Sequence, residues 1–152
     1  MTESSLERAG ELAGIEKVVL LQTVDLFRLC KAEHVLRISA LAVERRLEAG
    51  EKLYERGDPA DALYCVVRGT VRLEDSEGKV ESAGPLRTFG VEEILSGRLR
   101  SATATAETES LLLAINSEDF FDLLSNNIEI VRALFRRLLP ERGGSAGTPR
   151  SA

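Results

Sequence analysis

The segment from Thr88 to Thr103, with the sequence TFGVEEILSGRLRSAT, carries residue types suited to holding an anion. Gly90 directly precedes a short stretch of helical character, Val91 to Leu95. The free backbone N–H groups and the partial positive charge at the start of such a turn favour a phosphate. Arg100 adds a guanidinium that can make a bidentate, charge-assisted contact, and Ser101 adds a hydroxyl. This spacing indicates an anion site.

The same spacing has a simpler interpretation. Gly90 and Gly97 are also compatible with ordinary turns, and Arg100 is compatible with a solvated surface charge. Glycine-rich turns alone are weak evidence for a ligand site, so the spacing by itself favours this second interpretation. The choice depends on the elements that surround the segment.

The other reactive residue types are too few to predict different chemistry. The chain has two cysteines, Cys30 and Cys65, and one histidine, His34. They give no disulfide framework, zinc site or Cys/His nucleophile. We interpret His34 as a surface residue, Cys65 as a small core hydrophobe and Cys30 as partly exposed. No nucleophile, base and orienting group occur at a plausible spacing, so we expect neither an enzyme nor a metal or cofactor site.

Length and charge narrow the class of protein further. The chain has 152 residues, of which 43% are hydrophobic, and a net charge of -5. We expect a single domain whose core is large enough for it to fold without disulfides or a metal. The negative net charge predicts no electrostatic attraction of the chain to nucleic acid or to an anionic membrane. The apolar run Val18 to Leu21 is far shorter than the ~20 residues of a membrane helix, and the polar start does not resemble a signal peptide. We expect a cytoplasmic protein with no membrane span in this chain and no direct binding to DNA.

Periodicity divides the chain into segments. Residues 1–42 form an N-terminal helical segment, because apolar residues recur there at spacings of three and four. Residues 43–116 contain short apolar runs between glycines, which is typical of an antiparallel barrel or sandwich. The predicted strands are Lys52–Glu55, Ala62–Val67, Val71–Glu74, Lys79–Ser82, Ser101–Glu107 and Leu111–Ile115. We expect the last of them, which is wholly apolar, to be buried on both faces.

The pattern becomes helical again over residues 117–139. Ser117 is the expected N-cap of the first helix. The second helix, from about Ile128, has an apolar stripe that is compatible with packing on the strands. This stripe consists of Ile128, Val131, Phe135 and Leu138. Residues 140–152 are rich in Gly, Ser and Pro, so we expect a disordered tail.

This order of elements resembles a cyclic-nucleotide-binding domain over about Gln22 to Leu139. The family includes the catabolite activator protein, protein kinase regulatory subunits and gated ion channels. AGEKLYERGDPADALYCVVRGTVRL (Ala49–Leu73) resembles its first half, and GPLRTFG (Gly84–Gly90) resembles the approach to its phosphate-binding cassette, here residues 88–103. The resemblance implies an α+β fold: an antiparallel jelly-roll-like β-barrel of about eight strands, flanked by N-terminal helices and two C-terminal helices. It also favours the anion-site interpretation.

The resemblance implies cAMP or cGMP, or a related small anion, as the ligand. Arg100, Ser101 and Ala102 match the arginine, small residue and alanine that the family places around the cyclic phosphate. The implied binding residues are Phe89, Gly90, Val91, Glu92, Arg100, Ser101 and Ala102. Leu99 stands where a proline is common.

Val91 is the main departure from the family pattern, because the family usually has a glutamate there that binds the ribose 2′-hydroxyl. Loss of such a charged hydrogen bond costs about 1.5–3 kcal/mol, roughly ten- to a hundredfold in affinity. Glu92 is one residue later and would point about 100° further around a helix. We therefore expect a degenerate cassette whose phosphate half is intact and whose ribose half is weakened.

The resemblance implies a regulatory sensor domain in which C-terminal helices transmit occupancy. Val131, Phe135 and Leu138 would then form a lid over the base or a dimer contact. The alternative, which Val91 supports, is a binding-incompetent copy of the fold used for protein interaction or dimerisation. Too few residues follow Leu139 for a helix-turn-helix module, which disfavours a transcription factor. A fragment of a larger effector protein, a separate effector partner and a homodimer all stay open, as does the base of the ligand.

Overall fold

The computed structural model describes residues 12–28 and 30–138. The predicted tail, 140–152, lies outside these residues. The helices are α1 (Gly14–Thr23), α2 (Ala32–Leu41), α3 (Val91–Ser96), α4 (Ser117–Ser125) and α5 (Ile128–Leu138), with a 3-10 turn at Asp25–Phe27. No helix within the described ranges is both long enough and apolar enough to cross a membrane.

Eight strands occupy the glycine-punctuated region. They are β1 (Val43–Leu47), β2 (Lys52–Tyr54), β3 (Ala62–Arg68), β4 (Val71–Asp75), β5 (Val80–Ala83), β6 (Thr88–Phe89), β7 (Ala102–Ala106) and β8 (Ser110–Asn116). They form two antiparallel sheets of four strands, in the orders β1-β8-β3-β6 and β2-β7-β4-β5. The predicted combination of about eight antiparallel strands with flanking helices is confirmed, whereas closure of the two sheets into a barrel remains a prediction.

The two central strands of the first sheet, β3 and β8, are buried on both faces. Side chains alternate along a strand, so Leu63 and Cys65 of β3 face the helices, while Tyr64 and Val66 face the second sheet. The adjacent strand β8 is divided in the same way, and residues 111–113 and 115 are fully buried. The prediction that Leu111–Ile115 is buried on both faces is therefore confirmed, as is the assignment of Cys65 to the core.

The C-terminal helix α5 packs on a face that the sequence stripe did not identify. Ile130 and Leu134 are buried in the same core cluster as α3, whereas Ile128 and Phe135 are each 60% exposed. The interpretation that the apolar stripe packs on the strands is therefore wrong for Ile128 and Phe135. Val131 is partly buried against the cluster, and the side chain of Leu138 lies outside the described set.

A buried asparagine lies next to this face. Asn127 is 2% exposed and lies three residues before Ile130, so it continues the buried face with a polar residue. Its Nδ2 donates to the carbonyl oxygen of Leu123 at 2.8 Å. The amide oxygen is thus free to accept, and Nδ1 of His34 donates to it at 2.7 Å. His34 is therefore not a plain surface residue, since it connects α2 to the start of α5.

Candidate functional site

Arg100 is buried at the end of the loop between α3 and β7. The residue is 2% exposed, so the interpretation as a solvated surface charge is wrong. Its Nη1 donates to the carbonyl oxygen of Gly90 at 3.0 Å, and its Nη2 donates to that of Ala62. The backbone is also fixed, because its N–H donates to Asp58 O at 2.8 Å and its carbonyl accepts from Gly57 N at 2.9 Å. The guanidinium is thus held beside Gly90 of the cassette.

Gly90 permits this close approach. It is the N-cap of α3 and has a φ of 85°, in the left-handed region where side chains are disfavoured. A Cβ at this position would lie 2.7 Å from Nη1 of Arg100. The glycine therefore serves two purposes, since it turns the chain and leaves room for the guanidinium.

Aromatic rings line the other side of the guanidinium. The Cζ atom of Arg100 lies 4.2 Å from the ring centroid of Tyr54 and 5.9 Å from that of Tyr64. The first distance is well within the range of a cation–π contact. Phe89 extends the cluster, with its ring centroid 5.6 Å from that of Tyr64. Burial raises the pKa of both tyrosines, and Arg100 opposes only part of that rise, so both phenols are neutral at physiological pH.

One donor of the buried guanidinium is unsatisfied. The Nε atom of Arg100 is buried, and it has no hydrogen-bond partner among the residues that the structure describes. Leaving a buried donor unpaired costs about 1–3 kcal/mol, and more for a charged group. An anionic oxygen at this atom would remove that cost.

Glu93 also belongs to the site, although the sequence did not identify it. Its Oε1 lies 3.4 Å from Nη1 of Arg100. Its Oε2 accepts from the hydroxyl of Ser101 at 2.6 Å and from the Ser101 N–H at 3.3 Å. The Glu93 side chain is only 12% exposed. The sequence signal that could have identified Glu93 is the acidic pair Glu92 and Glu93 in the first turn of α3, because carboxylates are stabilised at the start of a helix.

The remaining cassette residues do not converge on the guanidinium in the same way. Val91 is fully buried in the core between the first sheet and the helices. Glu92 is exposed, and Ala102 is half-buried at the start of β7. The structure thus brings Gly90, Arg100 and Ser101 together, with Phe89 in the adjoining aromatic cluster.

Two four-stranded antiparallel sheets with flanking helices, and a buried arginine beside a glycine N-cap, define the class of domain. The family model of the cyclic nucleotide-binding domain matches residues 44–127. The chain belongs to the cyclic nucleotide-binding domain family.

Relatives of several kinds share this domain. A cyclic nucleotide-gated potassium channel of Mesorhizobium japonicum is 34% identical over 129 residues, which are 85% of this chain and 36% of the channel. The sensor domain of the transcriptional regulator DNR from Pseudomonas aeruginosa superposes with a TM-score of 0.71 at 25% identity, over 79% of this chain and 84% of that one. The catabolite activator protein of Thermus thermophilus superposes with a TM-score of 0.66 at 30% identity, over 81% of this chain and 60% of that one. The chain thus spans about a third of the length of the channel.

Proposed function

We propose that this chain is a regulatory domain that binds a cyclic nucleotide and holds its phosphate on Arg100. The observation that carries the proposal is the buried Nε of Arg100, which has no partner among the described residues. The two Nη atoms already donate to the carbonyls of Gly90 and Ala62, which fix the orientation of the guanidinium. A phosphate oxygen would supply the missing acceptor and a compensating charge. Membership of the family and the channel relative support a cyclic nucleotide as the anion.

Recognition of the ribose is weak in this proposal. Val91 is apolar and fully buried, so it offers nothing to a 2′-hydroxyl. Glu92 is exposed in the first turn of α3, so we do not expect its carboxylate to take the place of one at residue 91. We expect an affinity about ten- to a hundredfold below that of a domain with the charged hydrogen bond.

Occupancy would be transmitted through α5. Val91 and Ile94 of α3 share one buried cluster with Ile130 and Leu134 of α5, so a shift of α3 would alter the packing of α5. Phe135 is 60% exposed and is available to close over a base or to contact a partner. The output would lie in another domain of a longer chain, in a separate effector or in a second copy of this one.

Calorimetric titration of cAMP and of cGMP tests the proposal. The variants are Arg100→Gln and Arg100→Lys, with Arg98→Gln as the matched control, because Arg98 is exposed two residues away and its loss changes the net charge equally. We expect the wild type and Arg98→Gln to bind alike, and both Arg100 variants to lose at least tenfold. Circular dichroism establishes that each variant is folded. Equal binding by Arg98→Gln and the folded Arg100 variants would refute the proposal.

Glu93 favours a second candidate function. Its carboxylate already accepts from Ser101 and lies beside Arg100, as a bound anion would. A domain in which this contact is permanent would be a binding-incompetent module for protein interaction or dimerisation. Silent titrations with both nucleotides, together with a dimer in sedimentation velocity, would support this candidate over the sensor.

A further inference from the structure

We propose that Glu93 is an internal competitor for the anion site, so that a ligand phosphate has to displace its carboxylate. This inference rests on the proposed function for the identity of the ligand. It makes Glu93 the residue that sets how tightly an anion is held, a role that neither the family match nor the sequence pattern assigns.

The competition follows from shared donors. Glu93 Oε2 accepts from both the hydroxyl and the N–H of Ser101, and Oε1 lies beside Nη1 of Arg100. Ser101 and Arg100 are also the residues that would hold the phosphate. A carboxylate and a phosphate cannot accept from the same hydroxyl hydrogen at once, so binding at this position is an exchange of one anion for another.

Glu93 makes a short contact with Ser101 and a long one with Arg100, and this difference makes the exchange feasible. The Ser101 hydroxyl contact, at 2.6 Å, has the length of a strong O–H to carboxylate bond. The contact with Arg100, at 3.4 Å, is much longer than the usual 2.7–2.9 Å of a charged N–H to oxygen bond. The guanidinium therefore keeps unused capacity, which includes its unpartnered Nε. A phosphate that takes the arginine first would release the carboxylate from the serine.

The charges determine what a successful ligand must supply. Arg100 and Glu93 together are neutral, so a phosphate that joined them without displacing Glu93 would leave an excess negative charge in a poorly solvated site. A small anion with no other contacts has little to offset the displacement. A ligand that also makes contacts through a base and a sugar can offset it. Glu93 thus selects against simple anions such as inorganic phosphate.

The test compares Glu93→Ala and Glu93→Gln with Glu81→Ala and Glu81→Gln. Glu81 is exposed on the edge strand β5 and is not one of the site residues, so its variants change the charge equally without touching the site. Each protein is titrated with cAMP, with cGMP and, separately, with inorganic phosphate. We expect Glu93→Ala to tighten nucleotide binding roughly tenfold, the effect of removing a charged hydrogen-bond competitor, and Glu81→Ala to change it less than twofold. Inorganic phosphate should bind measurably only when Glu93 is replaced.

The outcomes separate this inference from the proposed function. If no protein binds a nucleotide but Glu93→Ala binds inorganic phosphate, the sensor function fails and the competitor role stands. If the wild type binds a nucleotide as tightly as Glu93→Ala and Glu93→Gln do, the competitor role is overturned and the sensor function stands. The Gln variant retains an acceptor for Ser101, so agreement between both variants excludes a folding artefact. If no protein binds either ligand, both proposals are overturned.

Discussion

Replacement of Gly90 by alanine would separate the cost of an unusual backbone conformation from the cost of moving Arg100. Gly90 has a φ of 85°, and Gly97, at the other end of α3, has a φ of 72°. An alanine in the left-handed region costs about 1–2 kcal/mol at either position. A Cβ at residue 97 would meet no atom within 4 Å. Gly97→Ala is therefore a matched control that carries the backbone cost alone.

The additional cost at Gly90 comes from the guanidinium. The new Cβ would lie 2.7 Å from Nη1 of Arg100, which is closer than atoms tolerate, so the arginine must move. Movement breaks the 3.0 Å bond to the Gly90 carbonyl and disturbs the stacking on Tyr54. Loss of one charged hydrogen bond costs about 1.5–3 kcal/mol. We expect Gly90→Ala to destabilise the protein by about 2.5–5 kcal/mol, against about 1–2 kcal/mol for Gly97→Ala.

Urea unfolding followed by circular dichroism measures both values, provided that the slope of the transition is unchanged. Nucleotide titration provides the second readout: Gly90→Ala should lose binding, while Gly97→Ala should retain it. Equal losses of stability in the two variants, or intact binding by Gly90→Ala, would refute the role assigned to this glycine.

Four further predictions address Val91, the two thiols and the contact between His34 and Asn127. Val91→Glu should lower the free energy of unfolding by about 3 kcal/mol or more, seen as a fall in Tm, because a carboxylate would replace a fully buried side chain. Burial raises the pKa of Cys65 to about 12 and that of Cys30 to about 11, so a disulfide reagent at pH 8 should leave Cys65 unmodified until the protein unfolds. The free energy of unfolding should also fall as the pH rises from about 9 towards 12, because both thiols ionise at a lower pH in the unfolded chain than in the folded one. His34→Ala should cost about 1–3 kcal/mol and speed hydrogen exchange in α5, since Asn127 loses its partner at 2.7 Å.

Local periodicity predicted six of the eight strands and missed β1 and β6. Leu111–Ile115 was predicted because every residue in it is apolar, as expected for a strand covered on both faces. β1 (Val43–Leu47) was not predicted as a separate strand, since its three central residues are charged. β6 has two residues and no period of its own. Such edge strands are defined by their hydrogen-bonded neighbours rather than by their sequence.

Arg100 was assigned to the candidate site through the resemblance to the cyclic-nucleotide-binding domain, because the local spacing by itself favoured a solvated surface charge. The contact of Glu93 with Ser101 joins residues eight apart across a turn, and no local period indicates it. The cap of α4 was also misassigned, because Asn116, one residue before Ser117, accepts from the Glu118 N–H at 2.7 Å. The buried face of α5 was missed because the residue that begins it, just before the helix, is the polar Asn127.

The Nε–H group of Arg100 gives the most direct measurement of the central claim. In a ¹H–¹⁵N NMR spectrum its signal can be assigned by its disappearance in Arg100→Lys. The unpartnered Nε should gain an anionic acceptor when cAMP or cGMP binds, so this signal should move downfield in a saturable manner. The side-chain signal of the exposed Arg98 should stay in place. An Arg100 Nε–H signal that does not respond to either nucleotide, while the domain is folded, would contradict the account.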